Sequence, residues 1–384
     1  MKKSIISLAI TTAFLSASAF ADTANVNVYG AVEASINSSD TNNGADDVSM
    51  DASTNEAFGN GDSPSIGTPQ SATGDAVSVA PGGATNTNYI GVQGSEEVGG
   101  LTAIYKVEFG FDITNTSTYA NTFVDRDQWV GLTGEFGTLT LGTVTTAYKS
   151  SILDPFDFTA LQAPVHGSVS ALMHDDIAGT GGQGRASNTM KYESPKLMDA
   201  VTLIGHWTVG SAVDSAGNED DGSWGMGAHY DNGDNIFAFA DYITSDRGGD
   251  DDAWKVGGRY KMGDVAVFGQ YEGDGGLISD MGGYGVGNTP FVADPGNSTD
   301  GSNMFMLGGT YSLGSTDISL VYGQKDDSST GGVDNMDGYD VITVGAIHNL
   351  SDRTRAYGGY SETGGDAANS SDLQFWTVGV GHRF

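Results

Sequence analysis

Lys106 and Glu108 stand two residues apart in the segment LTAIYKVEFG. In a β-strand that spacing puts both charges on one face, opposite Tyr105, Val107 and Phe109. A cation and an anion held side by side on the wet face of a strand set a local field that sorts passing charge. The same alternation turns Lys191, Lys255 and Arg259 toward water, and Trp254 and Tyr260 away from it. Catalytic chemistry is poorly supplied by comparison. His166, His174, His206, His229, His348 and His382 form neither an HxxxH nor an HExxH arrangement, and the chain has no cysteine for a thiolate site or a disulfide. Gly179-Thr180-Gly181-Gly182-Gln183-Gly184 matches GxGxxG formally, but no βαβ pattern surrounds it and it reads as a loop. The acidic runs Asp250-Asp251-Asp252 and Asn218-Glu219-Asp220-Asp221 could take Ca²⁺ or Mg²⁺ weakly. They lack EF-hand spacing, and solvated loop tips are the favoured reading. The expectation is no cofactor and no dedicated metal site.

The elements that must position these charges are strands. Leu373 to Phe384 alternates, with Trp376, Val378, Val380, His382 and Phe384 on one face and smaller or more polar residues mainly on the other. A strand with lipid on one side and water on the other needs this period of two. Lys2 and Lys3, the apolar run Ile5 to Phe14 and the small-x-small Ala19-Phe20-Ala21 read as a secretory signal over residues 1–21, cleaved to leave a mature chain from Asp22. Beyond it no stretch approaches the roughly 20 apolar residues of a transmembrane helix, so any span must be made of strands.

Composition agrees. Glycine supplies 58 of 384 residues, about twice the usual share, which disfavours long helices. Loss of the two signal lysines takes the net charge from -33 to -35, which excludes nucleic-acid binding through phosphates. Acid concentrates in the long segment 37–87, where Asp40, Asp46, Asp47, Asp51, Glu56, Asp62 and Asp75 face no Lys or Arg. That segment is expected to be an external loop.

Sixteen segments of strand character, from Asn25-Ile36 to Leu373-Phe384, are joined by connectors that alternate short and long. The short ones, among them Gly134-Gly137, Met262-Asp264 and Leu313-Thr316, carry hairpin chemistry. An all-β, 16-stranded antiparallel transmembrane barrel follows, with short periplasmic turns and long external loops. Tyr192, Tyr230, Tyr260, Tyr311 and Phe384 near turn ends, and Trp207 and Trp376 near loop ends, fit the two interfacial girdles.

Four segments in order resemble the trimeric general porins of Gram-negative bacteria. Asn27-Val28-Tyr29-Gly30 resembles the opening VxVYG strand, and Gly91 to Gly99 (GVQGSEEVG) the GFKGxEdLG turn. Val130 to Gly142 (VGLTGEFGTLTLG) resembles the vGLxGxFGtltlG hairpin. Arg185 with Asn188 to Pro195 (NTMKYESP) is similar to R-x-x-N-s-v-x-Y-x-S-P. The terminal Phe384, with Trp376 on its strand, resembles the signature by which such barrels are recognised for assembly.

The resemblance implies a homotrimer in contact with outer-membrane lipid and lipopolysaccharide, handled by the barrel assembly machinery through Phe384. It also implies an inward-folded third loop, here 146–188, that narrows the channel. On the basic side of that constriction it places Arg126 and Arg185, joined by Lys106 and Lys191. On the acidic side stand Glu108 and the loop residues Asp154, Asp157, Asp175 and Asp176. Tyr89, Lys255 and Arg259 line the wall, Tyr89 and Thr143 standing where relatives often carry arginine. The function expected is a passive water-filled channel for ions and small hydrophilic solutes, with cation preference from the acid excess. A substrate-specific channel and a surface adhesin or receptor barrel are the alternatives. A barrel phospholipase would need a Ser/His pair on the outer face, and the sequence places no serine beside His382.

Overall fold

The computed structural model describes residues 25–41, 76–81, 88–111, 113, 123–156, 159, 161, 185–209, 223–245, 251–275, 299–301, 303–327, 329–330, 333–334, 338–365 and 373–384. Residues 1–24, which hold the expected signal, lie outside these.

Sixteen strands form a closed antiparallel barrel. In chain order they are β1 (Asn25–Thr41), β2 (Tyr89–Val98), β3 (Leu101–Gly110), β4 (Val124–Gly134), β5 (Gly137–Thr145), β6 (Arg185–Glu193), β7 (Val201–Thr208) and β8 (Ser223–Asp231). The second half comprises β9 (Ile236–Ser245), β10 (Asp251–Met262), β11 (Val265–Asp274), β12 (Asn303–Leu313), β13 (Thr316–Lys325), β14 (Tyr339–Asn349), β15 (Thr354–Gly365) and β16 (Leu373–Arg383). Each pairs with its sequence neighbour, and β1 closes the ring by pairing with β16 from Ala31↔Arg383 to Thr41↔Leu373. At the seam the Phe384 amide and carbonyl exchange hydrogen bonds with Gly30 at 3.0 and 3.1 Å, so the last residue completes the ladder.

Within the segment 37–87 the described residues are strand. β1 runs on to Thr41, and Ala76–Pro81 pairs with it from Ala34↔Pro81 to Ser39↔Ala76, continuing the place of β2 beside the upper part of β1. Other bounds move too. β2 reaches Val98, leaving only Gly99-Gly100 as its turn, both at positive φ as a two-residue hairpin of this hand requires. Ser95-Glu96-Glu97 had the composition of a connector. In a barrel wall, however, one face is wet, and polar residues extend a strand as readily as apolar ones. Three two-residue strands, Thr299–Asp300, Ser329–Thr330 and Val333–Asp334, form a small separate sheet.

Alternation along the strands follows the expected period. In β16 Trp376, Val378 and Val380 are exposed while Phe375, Thr377 and Gly379 are buried; in β13 Ile318, Leu320 and Tyr322 are exposed around buried Ser319 and Val321. A continuous outward apolar band would be a liability in water and is the solvated surface in a bilayer. Tyr192, Tyr230, Tyr260 and Tyr311 stand exposed at turn ends, and Trp207, Trp224, Trp254 and Trp376 toward loop ends. Among the described residues no helix is long and apolar enough to cross a membrane.

The buried apolar cluster lies inside the barrel. Phe239, Ile243, Phe268, Met304, Met306, Val321, Val341, Tyr357 and Phe375 come from β9 through β16, and Tyr148, Leu153, Phe156 and Leu161 from the segment after β5. One half of the inner wall is therefore packed against an inward-folded segment. Buried charges occur on both sides, with Glu108, Arg126 and Asp127 on β3 and β4 and Asp241, Lys255 and Glu272 on β9 to β11.

Candidate functional site

Five charged side chains meet on the inner face of β3, β4 and β6. Lys106 Nζ lies 2.9 Å from Asp127 Oδ2 and 3.4 Å from Glu108 Oε2. The Arg126 Nε–H donates to Glu108 Oε1, and Arg185 Nε stands 3.6 Å from Asp127 Oδ1. Neutral groups complete the network: the Tyr29 hydroxyl donates to Glu108 Oε2 at 2.9 Å, and the Thr145 hydroxyl to Asp127 Oδ1 at 2.8 Å. The Arg126 guanidinium stacks over the Tyr89 ring at 4.6 Å. Glu108, Arg126, Asp127 and Arg185 are all buried. Buried charges persist only when paired, and each here has a partner of opposite sign.

The local cause is a bulge. Between β3 and β4 the register shifts from Val107↔Gln128 to Phe109↔Asp125, so Glu108 alone opposes Arg126 and Asp127. The extra residue suspends alternation and turns two consecutive side chains to one face. A second shift between Gly142 and Val144 brings Thr145 opposite Arg185, with Asn188 at φ 53 inside the irregularity.

Beyond β5 the chain turns into the barrel. The Thr146 hydroxyl accepts from the Lys149 amide at 3.2 Å and caps a short helix, α1 (Ala147–Ser150). From β10, the Lys255 ammonium donates to the Ser151 carbonyl at 3.1 Å and stands 4.6 Å from the Tyr148 ring centre. The Ser151 hydroxyl donates to Asp241 Oδ2, and His229 Nε2 lies 2.9 Å from Asp241 Oδ1. Burial pushes the Tyr148 phenol well above its ordinary pKa, so it stays neutral. Farther along, Asp154 Oδ1 accepts from the Phe156 amide at 2.9 Å, which shapes the turn.

The far end of this segment meets the opposite wall. A Cβ built on Gly359 of β15 would lie 2.5 Å from Leu161 Cδ1, and one on Gly345 of β14 would lie 2.8 Å from both Leu161 Cδ1 and Phe156 Cε1. Those two glycines form a notch that only a missing side chain provides. The inward segment is thus braced on β9 and β10 at one end and on β14 and β15 at the other.

Several expected residues take these places. Lys106, Arg126 and Arg185 share one wall, each paired with Glu108 or Asp127. Glu108 is on that same wall between Lys106 and Arg126, not across from them, because strand alternation places it beside its own neighbours. Lys191 pairs with Glu193 at 2.6 Å, away from the cluster. Lys255 is buried beneath α1 as an anchor, whereas Arg259 is exposed. Asp154 is buried in the inward segment. Asp157, Asp175 and Asp176 lie outside the described residues. Asp127 was missed by sequence reading, since a bulge has no composition signature; a carboxylate next to the wall arginine was the available signal. Asp241 and Glu272, buried near Lys255, were missed as well.

Chemically the wall offers three cations against two carboxylates, an arrangement that holds and sorts charge. Ser151 and His229 both bond Asp241, so that histidine is not placed to activate the serine hydroxyl.

A family model described as Gram-negative porin matches residues 7–368. A 73-residue stretch is 38% identical to the major outer membrane protein P.IA of Neisseria meningitidis serogroup C, covering 18% of this chain and 18% of that protein's length. Among solved structures, the anion-selective porin from Comamonas acidovorans superposes with a TM-score of 0.66 at 19% identity, over 94% of this chain and 100% of that one. The trimer form of in-vitro folded OmpT from Vibrio cholerae gives 0.57 at 14% identity, over 94% and 100%. At these identities the structural likeness concerns the fold.

Proposed function

Because this chain belongs to the Gram-negative porin family and is an integral outer-membrane β-barrel, we propose that it forms a passive, water-filled channel for ions and small hydrophilic solutes. The observation that carries the reading is the paired charge network on β3, β4 and β6, set inside a closed barrel that also holds a braced inward segment. Sixteen strands enclose a lumen wider than side chains alone fill. Lys106, Arg126 and Arg185 act as the basic side of the constriction, moderated by Glu108 and Asp127, and Tyr89 carries the Arg126 guanidinium. Asp154, Asp157, Asp175 and Asp176 are assigned to the inward loop that faces them, and Lys191 and Arg259 to the wall away from it. The reading calls for no cofactor.

We assign the channel a cation preference that arises at its outer mouth. The wall cluster sums to one positive charge, while 49 acidic residues outnumber 16 basic ones in the whole chain. The excess carboxylates lie elsewhere, notably in 37–87, and raise the local cation concentration there. A trimeric assembly is part of the proposal, supported by the trimer form of the Vibrio relative. Residues 1–21 are proposed as the export signal and 22–384 as the mature barrel. Phe384, whose backbone closes the ladder, is proposed as the group read by the assembly machinery.

Single-channel recording of refolded protein in a planar bilayer under a KCl gradient tests the reading. Ohmic steps with a cation-side reversal potential are expected. Anion-side reversal would transfer control of selectivity to the wall cluster, and absence of steps from verified folded barrel would remove the channel assignment.

A further inference from the structure

At the short-turn mouth of the barrel, where β1 meets β16, a cavity of about 120 Å³ opens beside the turn that joins β14 to β15. One water needs only ~10–15 Å³ by the same measure. Arg353, Arg355 and Arg383 line it, together with Glu33, Tyr89 and His382. Three of the seven arginines in a chain rich in acid therefore converge on one cavity. Their distribution is specific. Arg355 Nη2 lies 2.7 Å from Glu33 Oε2, and Arg383 also acts electrostatically on that carboxylate. Glu33 is buried and attracts both guanidinium groups, and Arg353 adds a third on the exposed rim. The other acid lining the cavity is Asp352, on the same exposed turn. Tyr89 links the cavity to the constriction, because its ring carries the Arg126 guanidinium.

We propose that this seam cavity is a binding subsite for a small anion bearing a phosphate or carboxylate group, separate from the constriction cluster. A guanidinium presents paired N–H donors that match such groups bidentately, and several around one cavity select multivalent anions over chloride. The anion would arrive from the lumen or the periplasm as a solute, or as the headgroup of an inner-leaflet lipid at the seam.

Inorganic pyrophosphate is the probe, titrated calorimetrically into the detergent-folded full chain. Saturable binding is expected, weakened at least tenfold in Arg353→Gln and further in Arg353→Gln/Arg383→Gln, with heat-modifiable gel mobility verifying the barrel in each. Identical titrations for parent and variants, or no binding, would overturn the site. This readout does not depend on conduction, so it separates the site from the channel reading on which its route of access rests. Competition by phosphatidylglycerol in the micelle would assign the site to a headgroup; indifference to that lipid would assign it to a soluble anion.

Discussion

Arg126 and Asp127 are neighbours in sequence and yet lie on the same inner face of β4, because Glu108 opposes both across the bulge. A regular strand would have sent one of them to lipid. The bulge lets a single turn of wall carry a cation bonded to Glu108 and an anion bonded to Lys106, held 2.9 Å from it. The charges are interleaved within one network, which fixes how its members respond to substitution.

Glu108→Gln leaves Lys106 and Arg126 facing a neutral amide. The reversal potential in a KCl gradient should move toward anions, and the urea midpoint of the refolded barrel should fall, since uncompensating a buried pair costs about 3–5 kcal/mol. An unchanged potential would take Glu108 out of the conducting path.

Lys255 holds the start of the inward segment by bonding the Ser151 carbonyl and lying over Tyr148. Replacing it with Met removes the bond and leaves Asp241 and Glu272 without that cation. Flickering current and a raised mean conductance are expected from Lys255→Met. Arg259→Gln, on the same strand but exposed, should behave as the parent.

Gly359→Ala tests the other end. The new methyl would sit 2.5 Å from Leu161 Cδ1 and 2.6 Å from the Val344 carbonyl oxygen. Leu161 must leave the notch and the β14–β15 backbone must shift locally, so conductance should rise with some loss of stability. Leu161→Ala, which leaves the wall intact, should also raise conductance while costing about 2–5 kcal/mol of stability. Parental conductance in both variants would show that this brace does not narrow the passage.

Cation preference seated in external carboxylates must weaken with salt. The screening length shrinks from about 10 Å at 0.1 M to about 3 Å at 1 M. Permeability ratios measured at the two mean concentrations should therefore converge toward unity at 1 M KCl. A ratio independent of salt would place the selective charges inside the barrel.

Deleting Phe384 removes the two backbone bonds to Gly30. Far fewer assembled barrels are expected in cells, with refolding from urea into detergent largely retained. Equal losses in both settings would make Phe384 a structural residue alone.

Much of this architecture was legible in the chain. Period-two alternation from Tyr89 to Phe384, hairpin chemistry at the short connectors and aromatic placement dictated a barrel with one wet and one lipid face, because each depends on local backbone geometry. Lys106 and Glu108 could be assigned to the inner face by parity. What only the tertiary structure decided depends on contacts between distant segments. The bulge that recruits Asp127 arises from how β4 pairs with β3, and Lys255 becomes an anchor because α1 folds back over β10. Gly345 and Gly359 matter through Leu161, roughly two hundred residues earlier in the chain. Alternation is a property of one strand and is written in its residues; pairing offsets and inward packing are set where strands meet, and no single segment carries them.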